Sequence, residues 1–210
     1  MMTNKEEVIK RELIEKIVLK EYDMFSCVEN IGERAPCQDD FHTFYIMRFA
    51  QHSIFGINTL KQYLEDIREA IREKRNLVAE KYSWMMEETD PVYFAKELKP
   101  YLPEVSAQKM KLVAAMTTVF MTCYELVRQR CPKLLEAGRN PYENVAGASI
   151  CLYFSGELKT WSEDTLIMAC RDIIGHLERK CNPVGMIYET IIDFYDYSVA
   201  NMNAEDKIPL

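Results

Sequence analysis

Residues 44–90 match residues 150–196 without a gap, at an offset of 106 positions. Thr59, Leu60, Asp66, Ile67, Lys74, Asn76, Val78, Tyr82 and Asp90 recur as Thr165, Leu166, Asp172, Ile173, Lys180, Asn182, Val184, Tyr188 and Asp196. Structural punctuation recurs with them. Asn58, an expected helix N-cap, corresponds to Asp164. Asn76, an expected helix stop, corresponds to Asn182, where Pro183 reinforces the stop. Upstream, Ile17–Phe25 and Val113–Met121 hold similar places in the two stretches, at a shorter offset because the second loop is longer. The pattern reads as two copies of a helix–loop–helix–helix–helix unit. Chance similarity between amphipathic helices is the competing explanation. Each copy would leave an apolar face half exposed, and the two would bury most surface by packing together about a pseudo-twofold axis. The expected architecture is an all-α, internally duplicated bundle. It forms one domain over 1–210, with halves of about 1–95 and 106–200.

Composition agrees with helices. Seven Gly and eight Pro are too few turn residues for a loop-rich all-β protein. Hydrophobic residues at 48% and charged residues at 28% give a globular balance. The net charge of −7 argues against nucleic-acid binding, which draws its affinity from a concentrated basic face. The densest basic run, Arg68 to Arg75, is interleaved with Glu65, Asp66, Glu69 and Glu73, as on a solvated helix face. Seven Cys without a CxxC pair fit reduced thiols, and MMTNKEEVIKRELIEK has no apolar signal region. The expected location is the cytoplasm. Leu112 to Val127 is about one turn short of a bilayer span and carries Thr117, Thr118, Thr122 and Glu125. It reads as a buried central helix, with no membrane contact.

Helix starts and stops are legible. Thr3-Asn4-Lys5-Glu6 is a capping box ahead of Val8, Ile9, Leu13, Ile14, Ile17 and Val18, and this run is expected to end near Asn30. Val78 to Glu88 forms another helix. Pro91, Pro100 and Pro103 mark a connector, and Ser106 starts a long helix ending at Cys131-Pro132. A second loop runs from Leu135 to Gly147.

The segment FYIMRFAQHSIF raises the functional question. On a helical wheel, Phe44, Arg48, Gln51 and Phe55 lie on one stripe, and the other faces are apolar as well. A buried guanidinium must be paired. The second copy offers Ile150, Phe154, Glu157 and Trp161 on the equivalent stripe, so Arg48 and Glu157 meet if the two helices face each other. Two readings follow. In one, the pair is structural and fixes how the halves dock. In the other, a pocket between the halves binds a small anionic metabolite through Arg48 and Gln51. There Glu157 would act as base, with Glu80 and Tyr82 as further catalytic candidates and Tyr188 and Trp161 as lining. Enzymatic activity stays open, and no cofactor or metal is expected. Cys37 with His42 is a weaker nucleophile or metal candidate, the latter with Asp39 and Asp40. His52 and His176 read as satisfied structural histidines.

The strings PCQDDFHTFYIMRFAQ, KRNLVAEKYSWMMEETDP and GELKTWSEDTL resemble a bacterial family catalogued as domain of unknown function 4125, over nearly the whole chain to about Tyr197. The resemblance places motif positions at Cys37, Gln38, Arg48, Gln51, Asn76, Glu80, Lys81, Tyr82, Met85, Glu157 and Ser162. The stretch ASICLYFS before GEL departs from the family's more polar pattern. The resemblance implies no activity. The expected function is binding, with transformation open, of a small anionic metabolite in the pocket between the halves. The alternative is a non-catalytic interaction or accessory module in which the buried polar residues are structural.

Overall fold

A computed structural model describes residues 3–30, 33–135 and 149–195. The described chain is all-helical, with no β-strand. Helix α1 (Asn4–Ser26) opens with the expected capping box: the Thr3 hydroxyl accepts from the Glu6 amide and the Glu6 carboxylate accepts from the Thr3 amide. It ends four residues before Asn30. Helix α2 (Phe41–Ser53) begins ahead of Phe44 because Asp40 caps it, accepting from the Thr43 amide at 3.0 Å. Helices α3 (Ile57–Arg72) and α4 (Leu77–Thr89) follow. The proline-marked connector holds a single turn α5 (Pro91–Tyr93), a wide π-type turn over Phe94–Leu98 and a tight turn over Lys99–Tyr101. Helix α6 (Ala107–Arg130) starts at the Ser106 cap and leads into α7 (Pro132–Leu135). Helices α8 (Ile150–Thr160), α9 (Glu163–Glu178) and α10 (Pro183–Phe194) complete the described chain. The expected second loop lies, from residue 136 on, outside the described residues.

Two helix starts differ from expectation for a tertiary reason. Asn58 and Asp164 sit inside the first turns, and the N-cap positions are Gly56 and Ser162. Asp172 on α9 accepts from the Gly56 amide at 2.7 Å and the Thr59 hydroxyl at 2.6 Å. Asp66 on α3 accepts from the Ser162 amide at 2.9 Å and the Thr165 hydroxyl at 2.7 Å. Each helix thus satisfies the other's free N-terminal donors, which local sequence could not reveal. The stops are alike too. Lys74 and Lys180 both take the left-handed conformation, with φ of 59° and 58°. Arg75 and Cys181 then donate back to the carbonyls of Ala70 and His176. Asn76 caps α4 and donates to the Met24 carbonyl, while Asn182 caps α10 and donates to that of Cys123.

Helix α1 packs on α2, α3 and α4; α6 packs on α8, α9 and α10. Helix α4 lies on α8, α10 on α2, and α3 on α9. One core therefore joins Ile17, Leu60 and Ile67 to Leu158, Leu166 and Ala169. A smaller cluster gathers Cys123, Tyr124, Val127, Leu135 and Val184. The expectation of a buried central helix at Leu112–Val127 fails. Helix α6 buries Val113, Met116, Cys123, Tyr124 and Val127 and leaves its opposite side exposed. Among the described residues it is the one helix long and apolar enough to cross a membrane by length and composition. It is a flanking helix, because α8, α9 and α10 cover one side of it.

Candidate functional site

The apolar stripe of α1 carries one carboxylate, Glu21, between Val18 and Met24, and its residual exposure is 2%. Arg48 enters the same space from α2, Lys81 from α4 and Glu157 from α8. Arg48 Nε donates to Glu21 Oε2 at 2.8 Å, and Nη2 donates to Glu21 Oε1 at 2.6 Å. Its other edge engages Glu157, with Nη1 to Oε2 and Nη2 to Oε1 both at 2.8 Å. Nη1 also donates to Gln51 Oε1. Glu21 further accepts from the Tyr63 hydroxyl at 2.8 Å. His52 Nε2 lies 3.1 Å from both Glu21 oxygens. Placing the proton there lets it donate to the carboxylate and leaves Nδ1, which has no partner among the described residues, as a bare lone pair. Lys81 Nζ donates to Glu157 Oε2 at 3.0 Å and stands 3.4 Å over the Tyr153 ring.

The cluster balances two carboxylates against one guanidinium and one ammonium. Burial alone would raise both carboxyls. Arg48 and His52 override it at Glu21, holding that group well below the ordinary carboxylate range. Arg48 and Lys81 bring Glu157 down to about 2. Burial pulls the Lys81 ammonium below the usual lysine range against the attraction of Glu157. Burial and the adjacent Glu21 hold the Tyr63 phenol well above its ordinary value. A cavity of about 20 Å³ adjoins the cluster, lined in part by Lys81, Tyr153, Glu157 and Thr160. That is room for a single water.

The structure brings Arg48, Gln51 and Glu157 together, as their stripes suggest. Trp161 stands one layer away, its ring 4.8 Å from Tyr63 and 5.4 Å from Phe55, and its buried indole N–H has no partner among the described residues. Tyr82 flanks the cluster, 6.1 Å from Tyr153 and 6.5 Å from Phe25. Glu80 points elsewhere and forms a two-bond pair with Arg75, at 2.7 and 2.8 Å. Tyr188 packs in the smaller core, where burial raises its phenol to about 12. Cys37 and His42 are exposed, and His42 packs edge-on against Tyr195. His176 bonds the Ile54 carbonyl at 2.7 Å. Among the described residues, no group of three His, Cys, Asp or Glu is placed to hold a metal ion. Sequence reasoning missed Glu21 and Tyr63 and assigned His52 no part in the site. Glu21 had a signal, since it interrupts the run Ile14, Ile17, Val18, Met24, Phe25 at helical spacing.

Gln38, a motif position, is 1% exposed and ties together the carbonyls of Phe25 and Val28 and the side chain of Asn30. The profile of a known family matches residues 11–204. The chain belongs to the family described as protein of unknown function, DUF4125. No curated protein and no solved structure matches the chain. In this DUF4125 member Arg48, Gln51, Lys81 and Glu157 form the cluster, while Gln38 and Asn76 tie helix ends.

Proposed function

We propose that this DUF4125 protein is a non-catalytic, cytoplasmic helical interaction module, in which the Arg48 cluster locks two duplicated halves together. The observation that carries this reading is the saturation of Arg48. Its five N–H donors serve five hydrogen bonds within the chain, two to Glu21, two to Glu157 and one to Gln51. None is left for a ligand carboxylate or phosphate.

Duplication about a pseudo-twofold axis draws support from the reciprocal Asp66 and Asp172 caps and the paired left-handed Lys74 and Lys180. It draws support also from α4 lying on α8 as α10 lies on α2. In the second half, Phe154 takes the place of Arg48 and stacks on Phe120 at 4.1 Å. The Asn76–Met24 and Asn182–Cys123 bonds pair Met24 with Cys123, so Phe120 stands where the first half has Glu21, in a register shifted from the one that Ile17–Phe25 and Val113–Met121 suggest. An aromatic pair in one half and an ion pair in the other is what complementary divergence of two copies produces.

A second reading keeps a small anionic metabolite. Lys81 has one carboxylate bond and borders the cavity, so a compact anion could displace water beside it. A thermal-shift screen of carboxylate and phosphate metabolites against wild type and Lys81→Met separates the two. The lock predicts no compound that stabilises the wild type but spares the variant. It also predicts that Arg48→Met costs about 3–5 kcal/mol, by stranding two buried carboxylates. A metabolite that raises the wild-type melting temperature and loses its effect in Lys81→Met would overturn the lock reading.

A further inference from the structure

The cluster accounts for the buried charges and leaves the exposed side of α6 unexplained. From Leu112 to Tyr124 the sequence LVAAMTTVFMTCY carries no charge. At 1.5 Å per residue this is about 20 Å of helix. Only 28% of the most apolar part of α6 is buried. Ala114, Ala115, Thr118 and Thr122 are exposed, with Met121 half-buried beside them and Met110 exposed at one end. The hydroxyls are satisfied within the helix: Thr118 donates to the Ala114 carbonyl at 2.9 Å and Thr122 to the Thr118 carbonyl at 2.8 Å. Their methyl groups and the alanines thus form a narrow strip of small residues with no unmet polar group, on which a second helix could approach closely.

The charges bounding this strip identify what covers it. Lys111 lies seven positions before Thr118 and Glu125 seven positions after it. In a second copy of α6 laid antiparallel, with Thr118 on the twofold axis, each Lys111 meets the other copy's Glu125. Ala114 meets Thr122, and Thr118 meets itself. A parallel arrangement would set like charges side by side. Glu125 already accepts from Arg128 at 2.8 Å and Gln129 at 3.1 Å. Those bonds hold its carboxyl down to about 2, so it stays ionised for Lys111. A membrane surface fits less well. Helices that lie in an anionic bilayer interface are rimmed with Lys and Arg alone, whereas here Glu125 stands among Lys109, Lys111, Arg128 and Arg130 and the chain's net charge is −7.

We propose that α6 is a self-association face that docks antiparallel on α6 of a second copy of this chain, about a twofold axis at Thr118. This specifies the interaction-module reading, and it uses residues that the Arg48 cluster does not touch. Sedimentation equilibrium of the full chain, with circular dichroism to verify folding, tests it. The wild type is expected to dimerise and Thr118→Arg to remain a folded monomer. Lys111→Glu and Glu125→Lys each place two like-charge pairs at the interface, and each is expected to weaken self-association about tenfold. Mixing those two variants restores both pairs, so the mixture is expected to form a heterodimer of near wild-type affinity. A wild type that stays monomeric at every concentration overturns the proposal. So does a dimer indifferent to Thr118→Arg, or a monomer that co-sediments with phosphatidylcholine–phosphatidylserine vesicles. In each of those cases the Arg48→Met and metabolite results still decide the lock reading independently.

Discussion

Glu21 and Glu157 make this fold sensitive to acid. Both carboxyls sit below their ordinary value of 4.5 in the folded state, Glu157 at about 2 and Glu21 well below the ordinary carboxylate range. Between those values the unfolded chain binds more protons than the native one, so the stabilisation is complete above about pH 4.5 and is lost as pH falls toward 2. Urea midpoints measured across this window should fall with pH, and Glu157→Gln should flatten part of that slope. A profile equally steep in the variant would mean that Glu157 is not held as an ion pair. At this scale the sequence carried Arg48 and Gln51 clearly, because two polar residues interrupt an aromatic stripe. It carried Glu157 through the matching of residues 44–90 to 150–196. It did not carry Tyr63 or Lys81 as partners, since a Tyr or Lys on an amphipathic helix fits both core and surface, and only the approach of α4 and α3 decides which.

Helices α4 and α8 set the geometry of the cluster by their spacing, and Gly156 sets that spacing. A Cβ there would lie 2.9 Å from the Lys81 carbonyl oxygen and 3.1 Å from Met85 Cγ. The first neighbour is backbone and cannot step aside, so Gly156→Ala must push α4 away from α8 and stretch the Lys81–Glu157 contact. The expected cost is about 1–3 kcal/mol, read as a lowered urea midpoint. An unchanged midpoint would mean that the helices can separate without loss. Helix existence was legible from periodicity, and the Thr3 and Ser106 signals were read correctly, whereas Asn76 and Asn182, expected as helix stops, cap the starts of α4 and α10. The starts of α3 and α9 were displaced because their caps, Asp172 and Asp66, come from across the core. Amphipathic patterning also misplaced α6, since an apolar run specifies what can be buried and leaves open what is.

Across the described residues, one core joins α1 to α4 with α6, α8, α9 and α10, and an ion cluster ties α1, α2 and α4 to α8, which predicts a single cooperative unfolding transition. Trp84 on α4 and Trp161 at the end of α8 report on the two parts. Trp84→Phe and Trp161→Phe leave one reporter each. Within each variant, fluorescence and circular dichroism should give the same urea midpoint. Non-coincident transitions would mean that the parts unfold separately. The sequence by itself determined the helical class, most helix ends and a pair of matching stripes, because spacing, caps and turn residues act over a few neighbouring positions. Tertiary structure alone decided that Glu21, His52, Tyr63 and Lys81 complete the site around Arg48, and that α6 keeps one side uncovered. Those outcomes depend on which helix faces lie against each other, and that is set by the burial of the whole core at once.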